Sequence, residues 1–452
     1  MIQENTENSL KHDRIKEKFI SISQAITKGH GKVAVRGWVY RERGSNELKF
    51  IVLRDSSDII QCVLKKEKFK NQWNEIDKLQ IETSLEIEGI IKEDKRAPTG
   101  YEIEADNINI IGKSENFPIN KDLNEELLGD RRHLWLRSRK MTAMMKIRDT
   151  VLNAMREHWH KKGFYEYHSP TLLGMQAEGG STLFKVDYFG KPLYLSQTWQ
   201  LHAEAGIFAL EKIFTIQPSF RAEKSKTSRH LTEYWHAEME TAWENFDYLQ
   251  DDAEQLIKYI IEKVLRERKQ ELEILGRDWK KLEPSLKKKF PRITYDEALK
   301  FLKEKKKINI QWGKDLRTIE EDKLSEMYDT PIFVTNYPKK VKAFYMKESS
   351  SKLGQAKGKE TVLGFDMIAP EGYGELVGGS QREEAIEKLK KNLKTQGEDP
   401  SKYEFYFDTR RYGSVPHGGY GMGVERVISW ICGLETIKDA IAFPRTMMRY
   451  SP

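Results

Sequence analysis

The chain has 452 residues, which at roughly 100–200 residues per domain suggests two to four domains. Hydrophobic residues make up 38%, with 10 Trp, 19 Tyr and 19 Phe, which excludes a disordered or collagen-like chain; two cysteines, Cys62 and Cys432, exclude a disulfide scaffold and a cysteine-based zinc site. Lys and Arg number 77 against 70 Asp and Glu, a formal charge of +7 that is compatible with a polyanionic partner without demanding one.

Residues 1–30 are polar and lack the apolar stretch of a secretory signal. No apolar run approaches about 20 residues, so no membrane span is expected and the default compartment is the cytosol. From Gly31 a period of two begins: Val33, Val35, Gly37 and Val39 alternate with Ala34, Arg36 and Trp38. Phe50–Leu53, Ile59–Leu64, Leu85–Ile91 and Ile103–Ile110 continue it, and five short strands read as a small antiparallel barrel. Cys62 in IIQCVL reads as a packed strand residue. Residues 112–134, with Gly112, Pro118 and Gly129, read as a linker.

From residue 135 the pattern changes. Met144, Ile147, Val151, Met155 and Trp159 share one helical face, which Gly163 ends. FYEYHSP then reads as a strand stopped at Pro170. Further strands are expected at YLSQ, IFTIQPSF, YWHAEMETAW, VLGFDMIA, GELVGG and YEFYFDTRR, with a Lys/Glu-rich helical insert over about 245–310. Within it, KEKKK at 303–307 reads as a solvated helix end. The fold class is therefore α+β: a barrel over 1–111, and over 135–452 a large mixed or antiparallel sheet flanked by helices.

Three constellations carry chemistry. In FRAEKSKTSRHLTEYW, Arg221 and Glu223 lie two residues apart on one strand face, followed by Arg229 and Tyr234. Two guanidinium forks suit a polyphosphate, a carboxylate can meet an exocyclic amine, and an aromatic can stack on a base. In HGGYGMGVER, Gly418, Gly419, Gly421 and Gly423 lead into a helix near Val424, with Arg426 at a first-turn position that the helix dipole disfavours. In FDMIAPEGYGELVGGSQREE, Asp366 and Glu375 are hard oxygen ligands suited to Mg²⁺ beside phosphates.

Together these resemble motifs 2 and 3 of class II aminoacyl-tRNA synthetases, and the helix before Gly163 with the strand to Pro170 resembles motif 1. The barrel sequence GKVAVRGWVYRERGSNELKFIVLRD resembles the OB-fold anticodon-binding domain of the aspartyl/asparaginyl/lysyl subgroup. VGGSQREE, RRYGSVPHGGYG and AFPRTMMRYSP look most like the asparaginyl type of archaea and eukaryotes. The resemblance implies an ATP-dependent, Mg²⁺-assisted ligase that joins L-asparagine to its tRNA as a homodimer built on motif 1. Aspartyl-tRNA synthesis and an ATP-dependent asparagine synthetase are the alternatives.

The resemblance also implies residue roles. Arg221 would contact the α-phosphate, Glu223 the adenine amine, and Arg229 the γ-phosphate, with Ala222, His230 and Leu231 beside the nucleotide. Tyr234 and Arg426 would cover the two faces of adenine, next to Gly423, Val424 and Glu425. Glu375 would bind Mg²⁺, with Asp366 as a second acid, and Gly378 stands where aspartyl relatives often have Ser. Glu178 would hold the substrate ammonium, and Gln200, Arg382 and Arg411 would meet the amino acid. Aspartyl relatives carry a Lys where this chain has Ala203; Glu204 beside it would repel aspartate and accept an amide N–H. In the barrel, Phe50 would stack on an anticodon base, with Arg43 and Gln61 at base edges. His202, His236 and His417 lack metal-ligand spacing and read as structural or substrate-facing.

Overall fold

The structure is a computed structural model and describes residues 18–119, 124–174, 182–224, 227, 229–349 and 359–451. The chain divides into two compact units, Met1–Leu128 and Gly129–Pro452. Among the described residues no helix is long and apolar enough to cross a membrane.

The first unit opens with helix α1 (Ile22–Lys28), held by a Ser21/Gln24 capping box and stopped at Gly29, whose φ is 70°. Five strands follow: β1 (Gly31–Gly44), β2 (Leu48–Arg54), β3 (Ile59–Lys65), β4 (Ser84–Glu93) and β5 (Tyr101–Gly112). They close into a barrel in the order β1-β2-β3-β5-β4, with β3 and β5 parallel. Alternation places Val33, Val35, Val39, Ile51, Leu53, Ile87 and Ile103 inside. Each such buried side chain contributes roughly 1.5–3 kcal/mol. Cys62 packs in this core, and burial pushes its thiol up, out of reach of ordinary reactivity.

The second unit is built on one sheet. Its helix α2 (Arg139–Lys161) starts at Ser138, whose side chain accepts the Met141 N–H, and buries Met144, Ile147, Val151, Met155 and Trp159. Gly163, at φ 82°, turns the chain. The expected motif 1 strand is only β6 (Tyr165–Glu166), two residues rather than a run to Pro170. A small antiparallel sheet follows, β7 (Leu172–Leu173), β8 (Lys185–Tyr188) and β9 (Lys191–Leu195), and then helix α3 (Gln200–Leu210).

The large sheet adds β10 (Lys212–Phe220), β11 (Glu233–Ala242), β12 (Arg292–Thr294), β13 (Ile332–Thr335), β14 (Gly364–Ala369), β15 (Gly374–Gln381) and β16 (His417–Gly423). Its order is β12-β13-β14-β15-β16-β11-β10-β6; the six central strands are antiparallel and the edge pairs β12–β13 and β10–β6 are parallel.

Two expectations are corrected here. Residues 245–310 are not an insert: helix α4 (Phe246–Glu267) buries Leu249, Leu256, Ile257, Ile260 and Ile261 in the same core as α2, and β12 joins the sheet. The charged run at 303–307 is the exposed end of a helix, Tyr295–Lys306, whose inner face buries Tyr295, Ala298 and Leu302. YEFYFDTRR is no strand. After α5 (Thr318–Leu324), the chain forms α6 (Glu404–Arg411), burying Tyr406, Phe407 and Arg410, and then α7 (Val424–Cys432).

Candidate active site

The β10–β11 hairpin sets the first half of the site. Arg221 follows the last residue of β10, and its Nε donates to the Tyr234 hydroxyl at 3.1 Å. Glu223 lies 3.8 Å from Arg221, and His230 3.5 Å from Glu223. Burial lowers the His230 pKa, which keeps the imidazole neutral. Arg426, in the first turn of α7, donates from Nη1 to the Glu375 carbonyl at 2.9 Å and lies 3.7 Å from its carboxylate. Arg221, Glu223, Leu231, Tyr234, Gly423, Glu425 and Arg426 line one small pocket of about 110 Å³. Ala222 does not line it; its main-chain N–H donates to the Thr182 carbonyl at 2.8 Å.

Several expected nucleotide residues stand differently. Val424 is fully buried and packs in the core beneath the sheet, so its side chain faces away. Glu425 is tied to Arg148 of α2 at 2.8 Å and to the Trp235 N–H at 3.0 Å, joining the motif 1 helix to the motif 3 helix. Arg229 lines the pocket, but its guanidinium is forked onto Asp322 of α5 at 2.9 and 3.3 Å and onto the Gly372 carbonyl at 2.6 Å. The glycine-rich run is a strand rather than a turn; residues 417–423 are β16, paired on both sides and leading directly into α7. Its glycines make room for neighbouring side chains. A Cβ at Gly419 would stand 2.2 Å from Glu240 Oε2, and one at Gly421 2.8 Å from His236 Nε2.

A second cavity of about 710 Å³ shares Arg221, His236, Glu375 and Gly421 with the first pocket, so the two adjoin at these residues. It is lined by Gln200, Glu238, Glu240, Gly378 and Arg382. Glu240 is 1% exposed and holds Arg382 through Nε at 2.9 Å and Nη2 at 2.7 Å. Both members of this bidentate pair line the cavity, and Arg382 Nη1 also donates to the Ser380 hydroxyl at 2.6 Å. Glu238 is fixed by His236 at 3.3 Å and by the Trp199 N–H at 2.9 Å.

Glu204 does not line this cavity. It lies one layer behind, fully buried, accepting from Gln200 at 2.8 Å, Tyr406 at 2.7 Å and His417 at 3.1 Å, and pairing with Arg410. Burial alone would raise its carboxyl, but Arg410, His417 and Arg382 together hold it well below the usual range. Two of its neighbours, Gln200 and Arg382 at 3.8 Å, do line the cavity. Ala203 is buried against Trp199, Ile207 and Ile213. Arg411 is turned outward onto Asp408 at 2.6 Å and Glu404 at 2.7 Å; its neighbour Arg410 is the one that faces in. Glu178 lies outside the described residues.

At the junction, a Cβ on Gly378 would stand 3.0 Å from Glu375 Oε1 and 3.7 Å from Asp366 Oδ1, so both carboxylates converge there. Glu321 of α5 accepts the Glu375 N–H at 3.3 Å. Burial, then Glu375 and Asp366, push its carboxyl up to about 7; burial and Asp366 likewise raise Glu375. Lys342 offsets part of this repulsion by donating to Asp366 at 2.7 Å. Among the described residues no group of three or more His, Cys, Asp and Glu side chains is arranged to hold a metal ion. The two converging carboxylates, Glu375 and Asp366, do fit Mg²⁺, which takes one or two carboxylates and completes its shell with other oxygens.

On the barrel, β2 turns Ile51 and Leu53 inward, which leaves Phe50 half-buried on the outer face. Arg43 lies 5.2 Å over the Phe50 ring and donates to Gln61 at 3.4 Å, so these three residues form one cluster. Sequence reasoning missed Glu240, Glu238, Glu321 and Asp322. The available signal was His236, Glu238 and Glu240 recurring at every second position of an otherwise apolar strand.

Residues 124–447 match the family of class II tRNA synthetases (D, K and N), and residues 33–111 match an OB-fold nucleic acid binding domain. The chain is 46% identical over 437 residues to the asparagine–tRNA ligase of Thermoplasma acidophilum, covering 96% of this chain and 100% of that one. It is 47% identical over 421 residues to that of Thermococcus gammatolerans, covering 93% and 96%. The solved asparaginyl-tRNA synthetase of Pyrococcus horikoshii, complexed with asparaginyl-adenylate, superposes with a TM-score of 0.89 at 44% identity, covering 94% and 97%. An aspartyl-tRNA synthetase of Entamoeba histolytica, at 24% identity and a TM-score of 0.81, shares the fold alone. The sheet, the two arginines facing one pocket and these matches together make the chain a member of the class II tRNA synthetases of the aspartate, lysine and asparagine group.

Proposed function

We propose that this chain is an asparagine–tRNA ligase, acting in the cytosol as a homodimer. It activates L-asparagine with ATP to asparaginyl-adenylate and pyrophosphate, then transfers asparagine to the terminal ribose of its tRNA. The observation that carries the amino-acid assignment is the buried Glu240–Arg382 pair that lines the larger cavity. A side-chain amide has one acceptor oxygen and two donor hydrogens. Arg382 can donate to the oxygen and Glu240 accept from the nitrogen. An aspartate carboxylate would meet Glu240 as a like charge, which costs several kcal/mol at a dry contact.

Arg221 is shared by both cavities, so it suits the α-phosphate at the point where the substrate carboxylate attacks phosphorus. Negative charge gathers on the phosphate oxygens, and preoriented guanidinium groups offset it. Tyr234 and Arg426 border adenine, and Glu223 suits its amine. Mg²⁺, held by Glu375 and Asp366, would supply further positive charge to the phosphates when bound. The reaction needs no protein nucleophile, because the substrate carboxylate itself attacks. Arg43, Phe50 and Gln61 suit an unstacked anticodon base. ATP–pyrophosphate exchange tests the reading: robust exchange with asparagine and little with aspartate is expected, and the reverse would reject it.

A further inference from the structure

The outer face of the barrel carries more than Arg43, Phe50 and Gln61. Strand β1 is bulged between Val39 and Arg41. Before the bulge Trp38 pairs with Arg54; after it Arg41 pairs with Val52 and Arg43 with Phe50. Residues directly opposite in a sheet share a face, and the bulge switches parity. Trp38, Arg54, Arg41, Arg43 and Phe50 therefore form one outward row, while Val39, Ile51 and Leu53 fill the barrel.

Trp38 stands out in this row. It is 44% exposed, an unusual state for the largest apolar side chain. The Arg54 guanidinium lies 5.4 Å from its ring centroid. Glu82 clamps Arg54 through both carboxylate oxygens, at 2.8 and 2.9 Å. Glu82 holds a left-handed φ of 69°, a strained conformation for a residue with a side chain. Arg54 and Glu82 are themselves almost covered, at 11% and 6% exposure. A fixed guanidinium thus backs the indole, and the ring keeps open area for a second stacking partner.

We propose that Trp38, backed by Arg54, is a second base-stacking platform of the barrel and takes an unpaired nucleobase of tRNA. Phe50 and Trp38 are four strand positions apart, about 13 Å at roughly 3.3 Å per residue, so the two platforms take different nucleotides. Continuity with the Arg43–Phe50 cluster favours RNA as the occupant. So does charge, because Arg36, Arg41 and Arg43 are exposed along the same strand, where phosphates would pass. The proposal rests on the reading that the barrel binds the anticodon loop.

The test uses full-length protein and a synthetic anticodon stem-loop RNA, followed by fluorescence anisotropy. Trp38→Ala should weaken binding roughly 5- to 150-fold, the effect of removing one stacked base, and raise KM for tRNA. Pyrophosphate exchange should not change, and Trp38→Phe should restore most of the affinity. If Phe50→Ala weakens binding while Trp38→Ala binds as wild type, the platform is refuted and the barrel reading stands. If neither variant weakens binding, both fail. Hydroxyl-radical footprinting of the wild-type protein tests the platform without a variant. RNA should protect Trp38 from oxidation, and undiminished oxidation in the complex overturns the proposal.

Discussion

Replacing Glu240 with Gln keeps the shape of the inner cavity and removes one charge. In the native protein Arg382 is shared between Glu240, at 2.7 and 2.9 Å, and Glu204, at 3.8 Å, so it stays charged and held in the variant. What is lost is a charged acceptor facing the cavity. A hydrogen bond to a charged group is worth about 1.5–3 kcal/mol, so kcat/KM for asparagine should fall roughly 10- to 150-fold. For aspartate the sign is opposite, because the like charge that repels its carboxylate is gone. Selectivity should therefore collapse by more than the loss in asparagine use. The assay is pyrophosphate exchange with each amino acid at saturating ATP. Wild-type selectivity in Glu240→Gln, at whatever absolute rate, would refute the assignment of this pair to the substrate amide.

The same contacts lead to other expectations. Arg221→Ala should abolish adenylate formation, with at least a thousandfold loss in exchange, and leave tRNA binding near wild type by filter assay; surviving exchange would contradict the phosphate role. Arg148→Ala leaves the Glu425 carboxylate buried without its cation, and urea denaturation should show a loss of about 3–5 kcal/mol. Glu321 has a folded pKa of about 7, above its unfolded value, so folding binds a proton and metal-free stability falls as pH rises toward 7. Glu321→Gln should then stabilise the metal-free protein by about 1–2 kcal/mol at pH 8, discounted for partial exposure, and by little at pH 5. An equal gain at both pH values in thermal melts would show that this acid is not raised.

Most of the architecture was legible because periodicity reports burial. Strands β10, β11, β14, β15 and the helix α7 fall where apolar alternation or helical spacing places them. The failure at YEFYFDTRR has a physical cause. Phe405 and Phe407 mimic a period of two, but Tyr403, Tyr406, Phe407 and Arg410 are the buried set, spaced three and four apart as in a helix. That helical phase also decides between adjacent arginines, turning Arg410 inward and Arg411 out. The stretch 245–310 misled through composition: many of its lysines and glutamates are exposed, but they stand on helices whose inner faces build the core.

The site was legible where a residue's own chemistry is unusual for its position, as with Arg426 at a helix start. It was not legible where the role depends on depth. Glu204 and Glu240 are both fully buried acids near the same arginine, and only the sheet geometry puts Glu240 at the cavity wall and Glu204 behind it. The glycines of β16 illustrate the same limit. A gap in the sequence of side chains says that something comes close, without saying whether a phosphate or a neighbouring glutamate does so.

The most direct measurement is a crystal structure of the protein with a non-hydrolysable asparaginyl-adenylate analogue. The α-phosphate should sit at Arg221, with adenine between Tyr234 and Arg426, and the amide oxygen at Arg382 and its nitrogen at Glu240. An analogue whose phosphate lies away from Arg221, or whose amide points away from the Glu240–Arg382 pair, would contradict the account.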